Sequence, residues 1–499
     1  MFALFLAAAA LMFFRKLPAL LTLPLMAIGI GAIEVVFGRL TWEDVSLVVV
    51  ADGAMRLYEP MVISMFGGVL SLLLQKSGVA ESIVRRGAEL AGDNPWMVSM
   101  IMMGIVALLF TTVGGLGAVI MVGTIVLPIL ASIGVREMIS SGILLFGICV
   151  GGLLNANNWA LYKTVLHLSD EAVSSYALTV FGAAILGAVT FVSVELLKSG
   201  VVRFRWKRPS ASLLWVIGGT AVIAMIILFR PSIPYGGLAL RWTIGLLLLF
   251  GIVKSISDFL ARSRDSRAAH IRWHAYLAPV VPLLLILVFR IPFVTAFLAG
   301  ILYGCITTLR RGSLNMISRS VIEGSASVIS AIVLMIGIGM LISAILGPTR
   351  AGPARTWYDV QSGSGAVTTA NVVAVEREWP VAVDMKPLIE TAVPRSGFAY
   401  IVIFALLGPL ALYRGPLNVW GLGYGIGGVL LATGVPPGAI MGILMSLGVI
   451  QGVSDPTNTQ NVWIANELRI GTNDILWRTF PYAWGVALLG LVAAAINFY

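Results

Sequence analysis

Apolar runs of about 20 residues recur along this chain, and that is the length a helix needs to cross the ~30 Å hydrocarbon core of a bilayer. In hydrocarbon each backbone amide has to be satisfied within its own segment, so continuous apolar runs mean helices. A transmembrane barrel would show short segments of alternating polarity instead. The expected fold class is therefore an all-α polytopic membrane protein. Composition agrees: 59% of the 499 residues are hydrophobic and 11% are charged, against about 25% charged in soluble domains.

Candidate spans fall at 2–14, 18–37, 58–75, 97–133, 137–167, 171–197, 212–229, 235–254, 275–289, 291–309, 322–346, 397–433, 436–466 and 473–497. The first, MFALFLAAAALMFFRK, reads as a short retained span rather than a signal peptide, because its charges follow the apolar run. A net charge of +10 would suit nucleic acid. Here, however, Lys and Arg gather in short loops such as KSGVVRFRWKR (198–208), RSRDSRAAHIR (262–272) and RRGSLNMISR (310–319), as cytoplasmic loops do. The bilayer is the expected partner, and nucleic acid is not.

Placing those loops inside gives a consistent map only if 97–133 and 397–433 each enter and leave by the same face. Both are too long for one span, and both are broken midway, at TTVGGLG (111–117) and YRGPLN (413–418). They are expected to be re-entrant helical hairpins. The map then has about twelve crossings plus two hairpins, with both termini external.

The map contains an internal repeat. A shift of 300 lays Gly134-Val135 on Gly434-Val435, residues 142–144 on 442–444, Gly152 on Gly452 and Asn158 on Asn458. A smaller shift pairs Glu59 with Glu323, and the difference is absorbed by an external, β-like insertion at 349–385. The halves, 1–197 and 270–499, begin on opposite faces, which makes them inverted repeats. Residues 198–269 hold a connecting helix pair and cytoplasmic loops. In each half a hairpin precedes an interrupted helix, 137–167 with NANNW at its break and 436–466 with SDPTNTQN.

Unwound backbone is tolerated at membrane depth only where it lines a cavity or is buried in protein, and helix ends there present N–H dipoles to anions and carbonyls to cations. Substrate contact is expected from Asn155, Asn157, Asn158, Thr457, Asn458, Asn461, Gly115 and Arg414. Ion coupling is expected from Asp455, Ser454, Thr459, Gly117 and Asn418, with any bound Na⁺ at Asp455 and Asn458. The competing reading makes the amides and hydroxyls caps of broken helices, Asp455 an N-cap, and Arg414 a snorkelling side chain. Glu59 and Glu323 either couple ions or face water.

Cys149 and Cys305 sit in apolar runs without metal spacing, and the three histidines have no ligand pattern. Enzyme signatures such as GxxxxGK[ST], HExxH and a triad-flanked GxSxG are missing. No enzyme and no cofactor beyond Na⁺ is expected.

The order of spans, glycine-tipped hairpin (TTVGGLG, YRGPLN) and interrupted span with Asn/Thr at its break (NANNW, SDPTNTQN), repeated inverted, resembles the ion transporter superfamily of secondary carriers. That grouping includes the gluconate permease, divalent-anion/sodium symporter, citrate carrier and sodium/proton antiporter families. The divalent-anion symporters carry Ser-Asn-Thr at both tips and breaks. The nearest equivalents here are Thr457-Asn458-Thr459 and the amides at 155–158, while the hairpin tips read otherwise. The resemblance implies a scaffold and a transport domain, an elevator-like motion and a homodimer. It places 18–37, 171–254 and 291–309 in the static part. The function expected is symport of a small organic anion, a carboxylate or sugar acid, with Na⁺ or H⁺, across a cell inner membrane. The alternative is a sodium/proton antiporter without organic substrate.

Overall fold

The computed structural model describes residues 2–13, 16–202, 236–261, 271–309, 313–348, 379–384 and 393–499, and among these all regular structure is helical. The first half comprises α1 (Phe2–Phe13), α2 (Ala19–Val36), α3 (Trp42–Lys76), α4 (Val79–Ala91), α5 (Pro95–Phe110), α6 (Leu116–Ser132), α7 (Glu137–Leu153), α8 (Ala156–Leu166) and α9 (Asp170–Lys198). A connecting α10 (Gly236–Ala261) leads to α11 (Val281–Phe289), α12 (Phe293–Thr307), α13 (Ser313–Ser327), α14 (Ile329–Leu346) and α15 (Gly397–Leu407). The chain ends with α16 (Gly423–Ala432), α17 (Pro437–Ser454), α18 (Thr459–Leu468) and α19 (Thr472–Phe498).

Local chemistry sets the punctuation. Asn94 starts α5 by accepting from the N–H groups of Trp96 and Met97, with Pro95 in the first turn, where a missing N–H costs nothing. Matching left-handed residues end matching helices in the two halves: Gly134 (φ 80) with Gly434 (φ 85), and His167 (φ 52) with Arg469 (φ 56).

The repeat is clearest where its mates touch. A shift of 271 carries Trp42, the start of α3, onto Ser313, the start of α13, and carries Leu57, where α3 is irregular, onto Val328 between α13 and α14. It also carries Gly53 onto Gly324 and Gly68 onto Gly339. These glycines are the crossing points. A Cβ on Gly68 would lie 2.4 Å from the Gly324 carbonyl oxygen, and one on Gly339 would lie 2.3 Å from that of Gly53. Contacts 53 with 339 and 68 with 324 mean that the two mates run antiparallel. The pair α9 and α19 repeats the lesson. Tyr176 near the start of α9 bonds the Gly490 carbonyl late in α19, and Glu195 near its end bonds Tyr482 early in α19. In both pairs the mated elements pack antiparallel.

Several expectations change. The span expected at 322–346 begins at Ser313 and is broken at Val328, and the span at 58–75 begins at Trp42, with a π-helical segment at Val45–Asp52. The smaller repeat shift is 271, not the 264 that paired Glu59 with Glu323; those acids instead pair with Lys163 and Lys76 respectively. Of the insertion, 349–378 and 385 lie outside the described residues, and 380–384 are helical rather than β-like. Six described helices are long and apolar enough to cross a bilayer, or up to seven if the bent pair α7–α8 is one span. The expected twelve also drew on shorter helices and on 212–229, which lies outside the described residues. This is a multi-pass membrane protein. The helices of the first hairpin, with 16 and 17 residues, reach about 24–26 Å at ~1.5 Å per residue, short of a ~30 Å core.

Candidate functional site

The two interrupted helices break where expected, between Leu153 and Ala156 and between Ser454 and Thr459, the first with a bend of 51°. A helix end leaves its last carbonyls without intrahelical partners, and inside a bilayer no water replaces them. Side chains from just beyond each break reach back to do so. In the first half Asn158 Nδ2 donates to the Gly152 carbonyl at 2.8 Å and Trp159 Nε1 to that of Leu153 at 2.8 Å. In the second, Asn458 Nδ2 donates to Gln451 (2.8 Å), Gln460 Nε2 to Gly452 (2.7 Å) and Asn461 Nδ2 to Val453 (2.9 Å). Capping is thus one role of the amide clusters, as the competing reading had it.

Each break is also tied to its hairpin. Asn155 donates from Nδ2 to the Phe110 carbonyl at 3.2 Å and accepts from the Asn157 N–H at 3.0 Å. Its mate Asp455, fully buried, accepts at Oδ1 from the N–H groups of Tyr413 (3.0 Å) and Thr457 (2.9 Å) and from the Thr457 hydroxyl (2.8 Å). Its Oδ2 accepts from Asn418 Nδ2 at 3.1 Å. These donors match the roughly four lone-pair sites of a carboxylate, and a cation at Asp455 would have to share its oxygens with them. Gln451 adds a further tie, its Oε1 accepting from the Val419 N–H at 2.9 Å.

Between the interrupted helices lies a cavity of ≈ 200 Å³. The first half contributes Cys149, Gly152, Asn158, Trp159 and Tyr162 to its wall, and the second contributes Trp420, Tyr424, Gly448, Gln451, Gly452, Asn458 and Gln460. Among the described residues no charged side chain lines it. The buried Tyr424 hydroxyl has the Tyr162 hydroxyl beside it and, among the described residues, no carbonyl or amide to bond.

Of the expected site residues, Asn158 and Asn458 line this cavity. Asn155, Asp455, Thr457 and Asn418 form the ties just described. Asn157 accepts from the Ser64 hydroxyl at 2.6 Å, and Ser454 shares a hydrogen bond of 2.8 Å with Thr479 of α19. Asn461 is buried in its capping role, and Thr459 is exposed. Gly115 (φ 82) and Gly117 stand in open space at the first hairpin tip. Arg414, left-handed at φ 55, lies at the second tip and outside the cavity wall. Among the described residues no group of His, Cys, Asp and Glu is arranged to hold a metal ion.

Sequence reading missed Gln451, Gln460, Trp420, Tyr424 and Tyr162. A signal existed for Tyr162, four residues after Asn158 and so on the same helix face, and for Gln451 and Gln460, which bracket the second break.

No protein-family model matches the chain, and no curated protein matches it in sequence. Several solved structures resemble it, two of them as follows. The YdaH transporter of Alcanivorax borkumensis is 13% identical with a TM-score of 0.47, over 90% of this chain and 86% of that one. MtrF of Neisseria gonorrhoeae, described as illuminating a class of antimetabolite efflux pumps, is 14% identical with a TM-score of 0.43, over 94% and 84%. Likeness at this level assigns no function to this chain.

Proposed function

We propose that the protein is a secondary active transporter, carrying a small organic anion together with Na⁺ or H⁺ by elevator-like alternating access, with the central cavity as its binding site. The observation that carries this reading is the position of the cavity, between two broken helices of a chain whose mated elements, α3 with α13–α14 and α9 with α19, pack antiparallel. A site on such an axis relates to both membrane faces in the same way, which is what alternating access requires.

The wall chemistry supports the rest. The N-cap residue of α18, Asn458, makes no side-chain capping bond, which leaves the first N–H groups of the helix to an anion in this reading. With no charged side chain in the wall, an anion desolvated there lacks a counter-charge, and such burial is costly. A positive partner entering with it removes that cost, which is the physical case for coupling. In this reading the hairpins and interrupted helices move, α2, α9, α10 and α12 form the static part of a homodimer, and the basic loops face the cytoplasm of an inner-membrane protein with external termini.

The test is uptake of labelled carboxylates and sugar acids into vesicles holding the purified protein, under an imposed Na⁺ or proton gradient. Gradient-driven uptake should fall at least tenfold in Asn458→Leu. In a Cys305→Ala background, a transported acid should also slow alkylation of Cys149. Sodium–proton exchange with no acid moved would point to the antiporter instead.

A further inference from the structure

The capping bonds fix more than the helix ends. An amide that gives its nitrogen to a carbonyl must turn its oxygen elsewhere, because an oxygen facing a carbonyl would be repelled. Asn158, Asn458 and Gln460 all spend Nδ2 or Nε2 on backbone carbonyls, at 2.7–2.8 Å. All three are half-buried and line the cavity, and their hydrogen bonds among the described residues are these donations alone, which leaves the amide oxygens without a described donor. The residues lining the wall therefore carry three amide oxygens whose orientation the capping bonds fix. Gln451 is fixed the opposite way: its oxygen takes the Val419 N–H, leaving its Nε2 as a donor.

We infer that the substrate is a small zwitterion, its primary ammonium group held by the amide oxygens of Asn158, Asn458 and Gln460 and its carboxylate by Gln451 Nε2 and the open N-terminus of α18. This rests on the reading of the cavity as the transport site and names the class of acid it takes. An ammonium carries three N–H donors and no acceptor, which matches three acceptors that cannot flip. The rings of Trp420, Trp159 and Tyr162 in the same wall suit a desolvated cation. A zwitterion brings its own counter-charge, so in a cavity whose described lining holds no charged side chain its ammonium offsets the cost of desolvating its carboxylate. Size agrees as well: ≈ 200 Å³ is about seven waters' share of liquid at ~30 Å³ each, room for a compact amino acid and far more than a bare ion needs.

The experiment compares propionate, lactate and alanine, with N-acetylalanine, methylamine and NaCl as controls. Each is added to the full-length protein in lipid nanodiscs, followed by melting temperature and calorimetry. Alanine should bind at least tenfold tighter than lactate, propionate more weakly still, and N-acetylalanine not at all. Gln460→Lys separates the cavity role from the capping role, since its ammonium can still donate to the Gly452 carbonyl while the acceptor oxygen is gone. It should weaken alanine at least tenfold with the melting temperature of the free protein unchanged. If propionate and lactate bind as well as alanine, the cavity takes plain anions; the transport reading stands and the zwitterion falls. A full stabilisation by NaCl alone would assign the oxygens to a metal cation and overturn the inference. If none of the organic probes binds and vesicles take up no acid, both readings fall.

Discussion

Asp455 and Asn155 occupy the same place in the two halves, and a single hydrogen-bonding fact separates them. The first hairpin offers the break a carbonyl, that of Phe110, so the residue there must carry a donor. The second offers the N–H of Tyr413 and the amide nitrogen of Asn418, so its residue must be an acceptor throughout. Exchanging either chemistry should fail. Asp455→Asn sets an NH₂ against those donors, and at about 1.5–3 kcal/mol for each bond to a charged group it should cost roughly 3 kcal/mol. Asn155→Asp places a carboxylate against the Phe110 carbonyl, for about 2 kcal/mol. Denaturant titration of the two variants in detergent measures both, and losses under 0.5 kcal/mol would show that the ties are idle. The pairing of 155 with 455 was legible in the sequence. What each side chain bonds was not, because it depends on which backbone atom a hairpin tip, about 40 residues away, turns toward the break.

Among the helices, the α3 crossing on α13 and α14 depends on having no side chain at four points. A Cβ would come within 2.6 Å of the Met340 Cα at Gly53 and within 2.7 Å of the Gly68 carbonyl oxygen at Gly324, in both cases against backbone that cannot swing aside. Small residues that let helix backbones approach are a principal source of packing energy in membranes. Alanine at Gly53, Gly68, Gly324 or Gly339 should each destabilise by about 1–3 kcal/mol, as overpacking does. By symmetry the four losses should be similar, and a variant that melts like wild type would show the crossing to be loose. The interrupted helices were readable because Gly, Pro and Asn clusters interrupt apolar runs. The full length of α3 was not, since the polar stretch TWED and the Asp52 and Arg56 region mimic a loop. In fact Thr41 and Asp44 form a capping box that begins the element, while Asp52 and Arg56 are buried within it.

Across the whole molecule the halves share an element order but not a conformation. The first interrupted helix bends by 51°, and at its hairpin tip a methyl group added to Gly114, Gly115 or Gly117 would meet nothing within 4 Å. At the second tip, Gly415 and Gly421 meet backbone at 2.3 and 2.8 Å. In the proposed transport reading, exchanging the two shapes gives the state open to the other face. Cysteines placed in a Cys149→Ala, Cys305→Ala background should report the difference. Gly117→Cys should react with a soluble maleimide at least tenfold faster than Val419→Cys, and equal rates would remove the asymmetry. Whole-chain organisation was half legible: the repeat pointed to the two breaks, at Leu154–Asn155 and Asp455–Asn458, but which tip is packed and which is open depends on close contacts that no pattern in the residues records.

The back-bonded carbonyls also bear on how such a body travels. Donor and acceptor in those bonds, from Asn158, Trp159, Asn458, Gln460 and Asn461, belong to the same interrupted helix, so each helix carries its own electrical insulation. In the proposed motion these carbonyls stay capped and none of these five bonds has to be broken at departure and remade on arrival, whereas the Asn157–Ser64 and Ser454–Thr479 bonds to neighbouring helices do. Friction at the packed surfaces, rather than repeated rewiring of the backbone, would then set the speed of the journey.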